Sequence, residues 1–384
     1  MTSPDTSLGA PEGTPAEVAI DAVRADAFTI PLEHPESDGT FRWDATTIVI
    51  ASVTAGGRTG IGYSYAPAAS AALITDHLAD VVTGRDPMAI GAAWGSMVHA
   101  VRNIGRSGAA SCAISAVDVA LWDLKARLLE RSVVDLLGGY HDGVPVYGSG
   151  GFTNLTDRQL TDQLSGWVDQ GLRAVKIKVG THPDDDPRRV ELARGIIGDD
   201  VDLFVDGNGA YTRKQALALA ERFAEFGVVW FEEPVSMDDL AGLRLLRDRA
   251  PAGMDIAAGE YGYDIADFRD LLAHEAVDCL QADVTRAGGI TGVLRAAALA
   301  DAETIDLSAH CAPQASAHAF TAVWHLRNLE YFADHVRLEH MVFDGVLEPE
   351  DGALHPDRSR PGLGLEVKWA DIEEFRVHPG GGTT

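Results

Sequence analysis

Two lysines on one face of an apolar strand are the first residues in this chain that could do chemistry. In Ala174-Val175-Lys176-Ile177-Lys178-Val179-Gly180, successive side chains point to opposite faces, so Lys176 and Lys178 share one face and Val175, Ile177 and Val179 the other. Lysine is scarce here: of 31 Lys+Arg residues only Lys125, Lys176, Lys178, Lys214 and Lys368 are lysines. A solvated edge strand defended by lysine would look the same locally. The downstream residues weigh against it. Strand-like segments at 201–206, 228–234, 254–260, 279–283, 304–310 and 336–340 carry Asp206, Glu232, Glu260, Asp283, His310 and Glu339 in turn, at intervals of about 23 to 29 residues.

Asp206, Glu232 and Glu260 on consecutive strand ends would crowd three negative charges together. Such a cluster is tolerable when a divalent cation neutralises it. Hard oxygen ligands without Cys or His suit Mg²⁺, with Mn²⁺ as a substitute. Lys178 would flank that centre on one side, and His310, oriented by Asp283 on the adjacent strand, on the other. The layout offers one acid-base group to each face of a bound substrate. Capping of the following helices could explain a single terminal Asp, but glutamate is a poor N-cap and the set as a whole is not a set of caps.

These groups meet only if the strands close. With 144–149 as the first strand there are eight, separated by helical segments such as 213–226 and 289–301, and eight βα units close as a barrel whose active site lies at the C-terminal mouth. Before the barrel, strand patterns at 20–30, 46–54 and 60–65 and helical periodicity from 68 to 137 predict an α+β unit. Residues 1–17, rich in Ser, Thr, Pro, Gly and Ala, read as a flexible leader. The polar segment 31–44 interrupts the first strand and contains Phe41, Arg42 and Trp43. It reads either as a staple under a hairpin or as a loop covering substrate.

With 384 residues and 46% hydrophobic content, the chain can bury a large core. A net charge of -27 argues against nucleic acid and anionic membranes as partners. It does not exclude a small anion held locally by lysine and metal. Three scattered cysteines fit a reducing compartment, and the start of the sequence lacks the charged and apolar regions of a signal peptide. The expectation is a cytoplasmic protein.

Taken jointly, Lys176-Ile177-Lys178, Asp206-Gly207-Asn208-Gly209, Phe231-Glu232-Glu233-Pro234, Gly259-Glu260, Asp283 with Gly288-Gly289-Ile290-Thr291, and Ser308-Ala309-His310 resemble the mandelate racemase subgroup of the enolase superfamily. The segment 115–125 is similar to the capping-domain helix of that family. The resemblance implies an α/β fold: a modified (β/α)7β barrel of residues 141–355, and an α+β cap of residues 18–140 completed by a returning segment, 356–384. It implies a small-molecule carboxylate as substrate, a homo-oligomer, and Mg²⁺ stabilising the enediolate left when the proton next to that carboxylate is removed; enolase-superfamily sites are a worked example of this strategy. Asp206, Glu232 and Glu260 would be metal ligands. Lys178 would be one base, and His310 with Asp283 the other. Lys176 would lower the pKa of Lys178 by like charge and contact the substrate carboxylate, while a protonated Glu339 would donate to it. Asn208, Arg42, Trp43 and Tyr63 complete the expected substrate contacts. Asn208 stands where some sugar-acid dehydratases of the family carry an acid-base histidine, and Arg286 where several relatives have lysine.

The favoured activity is dehydration of an acid sugar, a sugar monoacid or diacid. A racemase, epimerase or cycloisomerase begins with the same proton abstraction and is the alternative. A metal-free glycosidase could use Glu232 with Glu260 but leaves Asp206 and Lys178 without a role. A metabolite-binding barrel without turnover would not need the full array.

Overall fold

The computed structural model describes residues 18–377; the leader expected over 1–17 and the part of the returning segment beyond 377 lie outside the described residues. Three antiparallel strands come first, β1 (Ile20–Ser37), β2 (Arg42–Ala55) and β3 (Arg58–Tyr65). Strand alternation sends the residues of β2 into two cores. Val49, Ala51 and Val53 pack with the cap helices, whereas Ile48 and Ile50 join the core shared with the barrel. Gly62 lets β3 lie directly on the 20-residue helix Ala109–Leu128, because a Cβ there would stand 2.2 Å from the Ala116 carbonyl oxygen.

The segment 31–44 is not the interruption its polarity suggests. β1 and β2 run through it as a hairpin, pairing Glu36 with Trp43 and Ser37 with Arg42 beyond a register shift after Pro31. Polar bonds take the place of apolar alternation. Asp38 Oδ1 accepts from the Thr40 and Phe41 amides at 2.6 and 2.7 Å and closes the turn, while the Ser37 amide donates to Asn154 Oδ1 at 3.0 Å and ties the hairpin to the barrel.

Eight parallel strands follow: β4 (Val144–Gly150), β5 (Ala174–Lys178), β6 (Asp202–Asp206), β7 (Val228–Glu232), β8 (Asp255–Ala258), β9 (Cys279–Ala282), β10 (Asp306–Ala309) and β11 (Leu326–Phe332). Each pairs with the next, and β11 pairs with β4, closing the barrel; Ala353–Leu354 adds an antiparallel strand outside β4. The short strand Arg376–Val377 pairs with β1 in the cap sheet. No helix among the described residues is long and apolar enough to cross a membrane.

One predicted strand is wrong. Residues 336–340 lie in the helix Ala333–Val342, and the eighth strand is β11. Within the helix the buried residues are Asp334, His335, Leu338, Glu339 and Val342, a three-to-four spacing that marks a helical face rather than a strand. Val336 is β-branched, which favours a strand, but it lies on the less buried side of that helix.

The cap is held to the barrel through the turn before the helix Gly289–Ala302. Ser115 Oγ accepts from the amides of Gly288 and Gly289 at 2.9 and 3.0 Å, and Asp118 accepts from the Thr291 amide and hydroxyl at 2.9 and 2.7 Å. Both acceptors lie on the helix Ala109–Leu128.

Candidate active site

Barrel closure brings the strand-end groups into one buried cluster. Lys178, Asp206, Glu232, Glu260, Asp283 and His310 are each 5% exposed or less. One oxygen from each of Asp206, Glu232 and Glu260 lies within 4.8 Å of the others. This donor set fits a hard divalent cation: all three are carboxylates, and Glu260 Oε2 is buried with no hydrogen-bond partner in the protein. Burial, then the negative charge of Asp206, pushes Glu232 up to about 7. Burial also acts on Glu260, but His310, Arg286 and Lys178 outweigh it and hold Glu260 well below the ordinary range.

Lys178 donates to Asp206 Oδ2. Lys176 lies deeper: fully buried, it donates to Glu232 at 2.6 and 2.7 Å and reaches Glu330 Oε1 at 2.8 Å. It faces carboxylates beneath the cavity, as the counter-ion of Glu232, Glu330 and, at 3.7 Å, Asp206. Its like charge does lower the Lys178 pKa, as does burial, but Asp206 outweighs both and the net shift is upward.

On the opposite side, His310 Nδ1 donates to Asp283 Oδ2 at 2.8 Å, and Asp283 Oδ1 accepts from the Thr285 amide and hydroxyl at 2.6 and 2.7 Å. This fixes the ring and leaves Nε2 toward Glu260 Oε2, 3.1 Å away, and Glu330 Oε2, 3.4 Å away. Burial disfavours the imidazolium, but Cys311 and then the carboxylates of Glu260, Glu330 and Asp283 prevail and raise the His310 pKa well above its usual value. Arg286 sits between the two sides, 3.3 Å from Glu260 Oε1 and 3.4 Å from Asp283 Oδ2.

A cavity of about 630 Å³ opens above these groups, lined by Lys178, Asn208, Glu260, Arg286, His310 and Glu330 below, by Trp43, Thr46, Thr47 and Tyr65 of the cap, and by Asp334 and His335 of the helix Ala333–Val342 facing the cap. Asn208 reaches it through a left-handed turn (φ 45°), with its amide donating to Asp206 Oδ1 at 2.8 Å. Of the hairpin residues, Trp43 lines the cavity, but Arg42 is exposed and faces a separate surface cleft with Thr153 and His182. Neighbours on a strand point opposite ways, which corrects the expectation for Arg42.

Tyr63 and Glu339 also leave the substrate list. The Tyr63 hydroxyl donates to Glu339 Oε1 at 2.5 Å, and both residues are fully buried in the seam between cap and barrel. Burial pushes Glu339 up to about 8. The residue that does close the cluster is Glu330 on β11, which reasoning from sequence missed; it accepts from Ser149 and is held ionised by Lys176 and His310 in spite of its burial. Tyr65, two positions from Tyr63, reaches the cavity and stacks on His335 with ring centroids 3.4 Å apart.

Residues 159–372 match the family model described as enolase C-terminal domain-like, and residues 23–138 match the mandelate racemase / muconate lactonizing enzyme N-terminal domain. A mandelate racemase/muconate lactonizing enzyme-like protein from Rubrobacter xylanophilus superposes with a TM-score of 0.91 at 50% identity, over 93% of this chain and 99% of that one. The 3,6-anhydro-α-L-galactonate cycloisomerase of Streptomyces coelicolor is 34% identical over 93% of this chain and 99% of its own length. The structure of L-talarate dehydratase from Polaromonas sp. JS666, complexed with Mg and L-glucarate, matches with a TM-score of 0.85 at 32% identity, over 94% of this chain and 98% of that one. With both domain models matched and similarity running through nearly the whole chain, the protein belongs to the mandelate racemase/muconate lactonizing enzyme family of the enolase superfamily.

Proposed function

We propose that this chain is a Mg²⁺-dependent acid-sugar dehydratase. The observation that carries the reading is a triad of carboxylates within 4.8 Å of one another, reached through Glu260 from a cavity that Lys178 and the Asp283-bonded His310 also line. Asp206, Glu232 and Glu260 would hold the cation. When bound, it would polarise the substrate carboxylate and offset the charge that builds on its oxygens as the α-proton leaves.

The chain's own groups do the rest. Once Asp206 is engaged as a ligand, its charge no longer holds the proton of Lys178, and Lys176 beneath then favours release. Asp283 keeps the Nδ1 proton on His310, so Nε2 takes or gives the reacting proton. One group removes the proton from C2. The other delivers a proton to the C3 hydroxyl, which departs as water with the C–O bonding pair, and the enol so formed tautomerises to a 2-keto-3-deoxy acid. Configuration at C2 decides which group acts first.

The cap-side wall supports a neutral, hydroxylated tail. Among the described residues lining the cavity, the cations are Lys178, Arg286 and, when protonated, His310, all on the barrel side; His335 is pushed down to about 3 by burial and stays neutral. Trp43, Tyr65, Thr46 and Thr47 offer ring faces and hydroxyls, and Asp334 would repel a second carboxylate. A sugar monoacid is therefore favoured over a diacid. The same wall suits a cyclic acid, and with the cycloisomerase relative it supports isomerisation of an anhydro or lactone ring as the second reading.

The test is a screen of sugar monoacids, diacids and lactones with Mg²⁺, read as 2-keto-3-deoxy acid formation. Turnover of a monoacid is expected. Ring conversion without loss of water would establish the second reading, and no turnover of any acid would overturn both. The exposed aromatic pair Tyr140 and Trp324, rings 5.0 Å apart, supports a homo-oligomer, and three reduced cysteines support a cytoplasmic location.

A further inference from the structure

Cys311 has no part in the chemistry above, yet it faces the same cavity as His310. Adjacent strand residues should point to opposite sides. Here the backbone turns left-handed at both Cys311 (φ 51°) and Ala312 (φ 45°), a conformation that non-glycine residues rarely adopt, and the turn brings the thiol back beside the imidazole. Cys311 Sγ lies 3.3 Å from His310 Nε2 and 3.3 Å from Glu330 Oε2, and Nε2 to Oε2 is 3.4 Å. The three atoms form a nearly equilateral triangle. One face of a tetrahedral Zn²⁺ with ordinary Zn–S, Zn–N and Zn–O bonds has edges of about 3.3 to 3.6 Å.

Three further observations point to a metal. His310 Nδ1 is bonded to Asp283, the carboxylate–histidine arrangement that presents Nε2 as a ligand. Glu330 Oε1 is steadied by Ser149 and Lys176, which leaves Oε2 for the triangle. Glu260 Oε2, 3.1 Å from Nε2 in an ion-pair contact, adds a further carboxylate oxygen beside the triangle that favours a cation there. All three corners line the cavity, so a cation has a way in.

We propose that Cys311, His310 and Glu330 form a second, thiophilic metal site that takes Zn²⁺ rather than Mg²⁺ and withdraws His310 from proton transfer when filled. Thiolate and imidazole select Zn²⁺, whereas Mg²⁺ keeps to the carboxylates. Binding releases both the thiol proton of Cys311 and the Nε2 proton of His310 to solvent. The site would make the enzyme sensitive to zinc in the presence of ample magnesium.

Co²⁺ is the direct probe, because a cobalt–thiolate bond gives a sulfur-to-metal charge-transfer absorption that oxygen ligands do not. Wild-type protein saturated with Mg²⁺ should develop this band on addition of one equivalent of Co²⁺, and Zn²⁺ should abolish it while leaving Mg²⁺ bound. Cys311→Ser, checked for cooperative melting, should lose the band and bind Zn²⁺ more weakly by at least the roughly 10- to 100-fold typical of losing a supporting group. Absence of the band in the wild type, its persistence in Cys311→Ser, or one-for-one displacement of Mg²⁺ by Zn²⁺ would overturn the site. Inhibition by Zn²⁺ rests on His310 acting as a base. A band without inhibition would keep the site and refute its effect on proton transfer.

Discussion

The mouth of the barrel and the seam beneath the cap both bury acidic side chains, but they satisfy them differently. In the seam each carboxylate is matched by donors from the chain. Asp123 accepts from the Ile61 and Leu363 amides and from Arg127 Nε, all at 2.7 Å, Asp118 accepts from Thr291, and Glu339 accepts from Tyr63 and the Gln314 amide. At the mouth, Asp206, Glu232, Glu260 and Glu330 face one another and share two lysines, a histidine and Arg286. Seam acids are saturated with hydrogen bonds, which tie the cap to the barrel at Asp118 and Glu339 and to the returning C-terminal segment at Asp123. Mouth acids keep capacity for a cation and a substrate. Substitutions in the two regions should therefore fail in opposite ways.

The largest effect is expected for Asp206→Asn. Losing a ligand removes several kcal/mol of transition-state stabilisation, so turnover should fall on the order of 10³-fold or more. The wild type should melt at a higher temperature with Mg²⁺ than without, and the variant should lose that increment. An Asp206→Asn protein that keeps both activity and the increment breaks the comparison on the mouth side. Next comes Lys178→Met, expected to cost about 10² to 10⁴ in rate, the range of a lost acid-base group. Mg²⁺ affinity measured by calorimetry should stay within a few-fold.

In the seam, Asp123→Ala leaves the buried amides of Ile61 and Leu363 without their acceptor. Each orphaned donor costs about 1–3 kcal/mol, so the urea midpoint should drop by the equivalent of roughly 2–6 kcal/mol. Below that midpoint kcat should be nearly unchanged; a large loss of kcat in folded protein would show that the seam also serves the chemistry.

The subtlest contrast concerns Glu339. Its folded pKa, about 8, lies above the ordinary glutamate value of 4.5, so between these values the folded state holds a proton that the unfolded state has released. The contribution is fully present below pH 4.5 and is lost as pH rises through 8. Glu339→Gln should flatten that part of the stability–pH curve measured by urea unfolding. An unchanged slope would mean that Glu339 is ionised in its buried setting.

The functional array was legible in the sequence wherever a carboxylate, lysine or histidine recurs at the βα interval, because barrel closure then dictates that the groups meet. What stayed hidden depends on register. Glu330 and Glu339 are nine positions apart, and only the assignment of β11 distinguishes the mouth residue from the helical one. Tyr63 against Tyr65, and Arg42 against Trp43, turn on which residue of a pair faces the cavity, and the cap's position on the barrel sets that. The helical spacing through His335, Leu338, Glu339 and Val342 was the signal available for the first of these errors. For Cys311 there was none, since two consecutive left-handed non-glycine residues leave no mark in sequence. Gly288-Gly289 and Ser115 both stand out in the sequence, but their bonding to each other is a tertiary fact.

The most direct measurement is exchange of the substrate α-proton with D₂O, followed by NMR, for acids epimeric at C2. Wild-type protein should exchange only with Mg²⁺ present. His310→Asn should retain exchange for one configuration while losing net turnover, and Lys178→Met should retain it for the other. Exchange that survives exhaustive chelation, or is lost for both configurations in both variants, would contradict a cation-held acid flanked by Lys178 and His310.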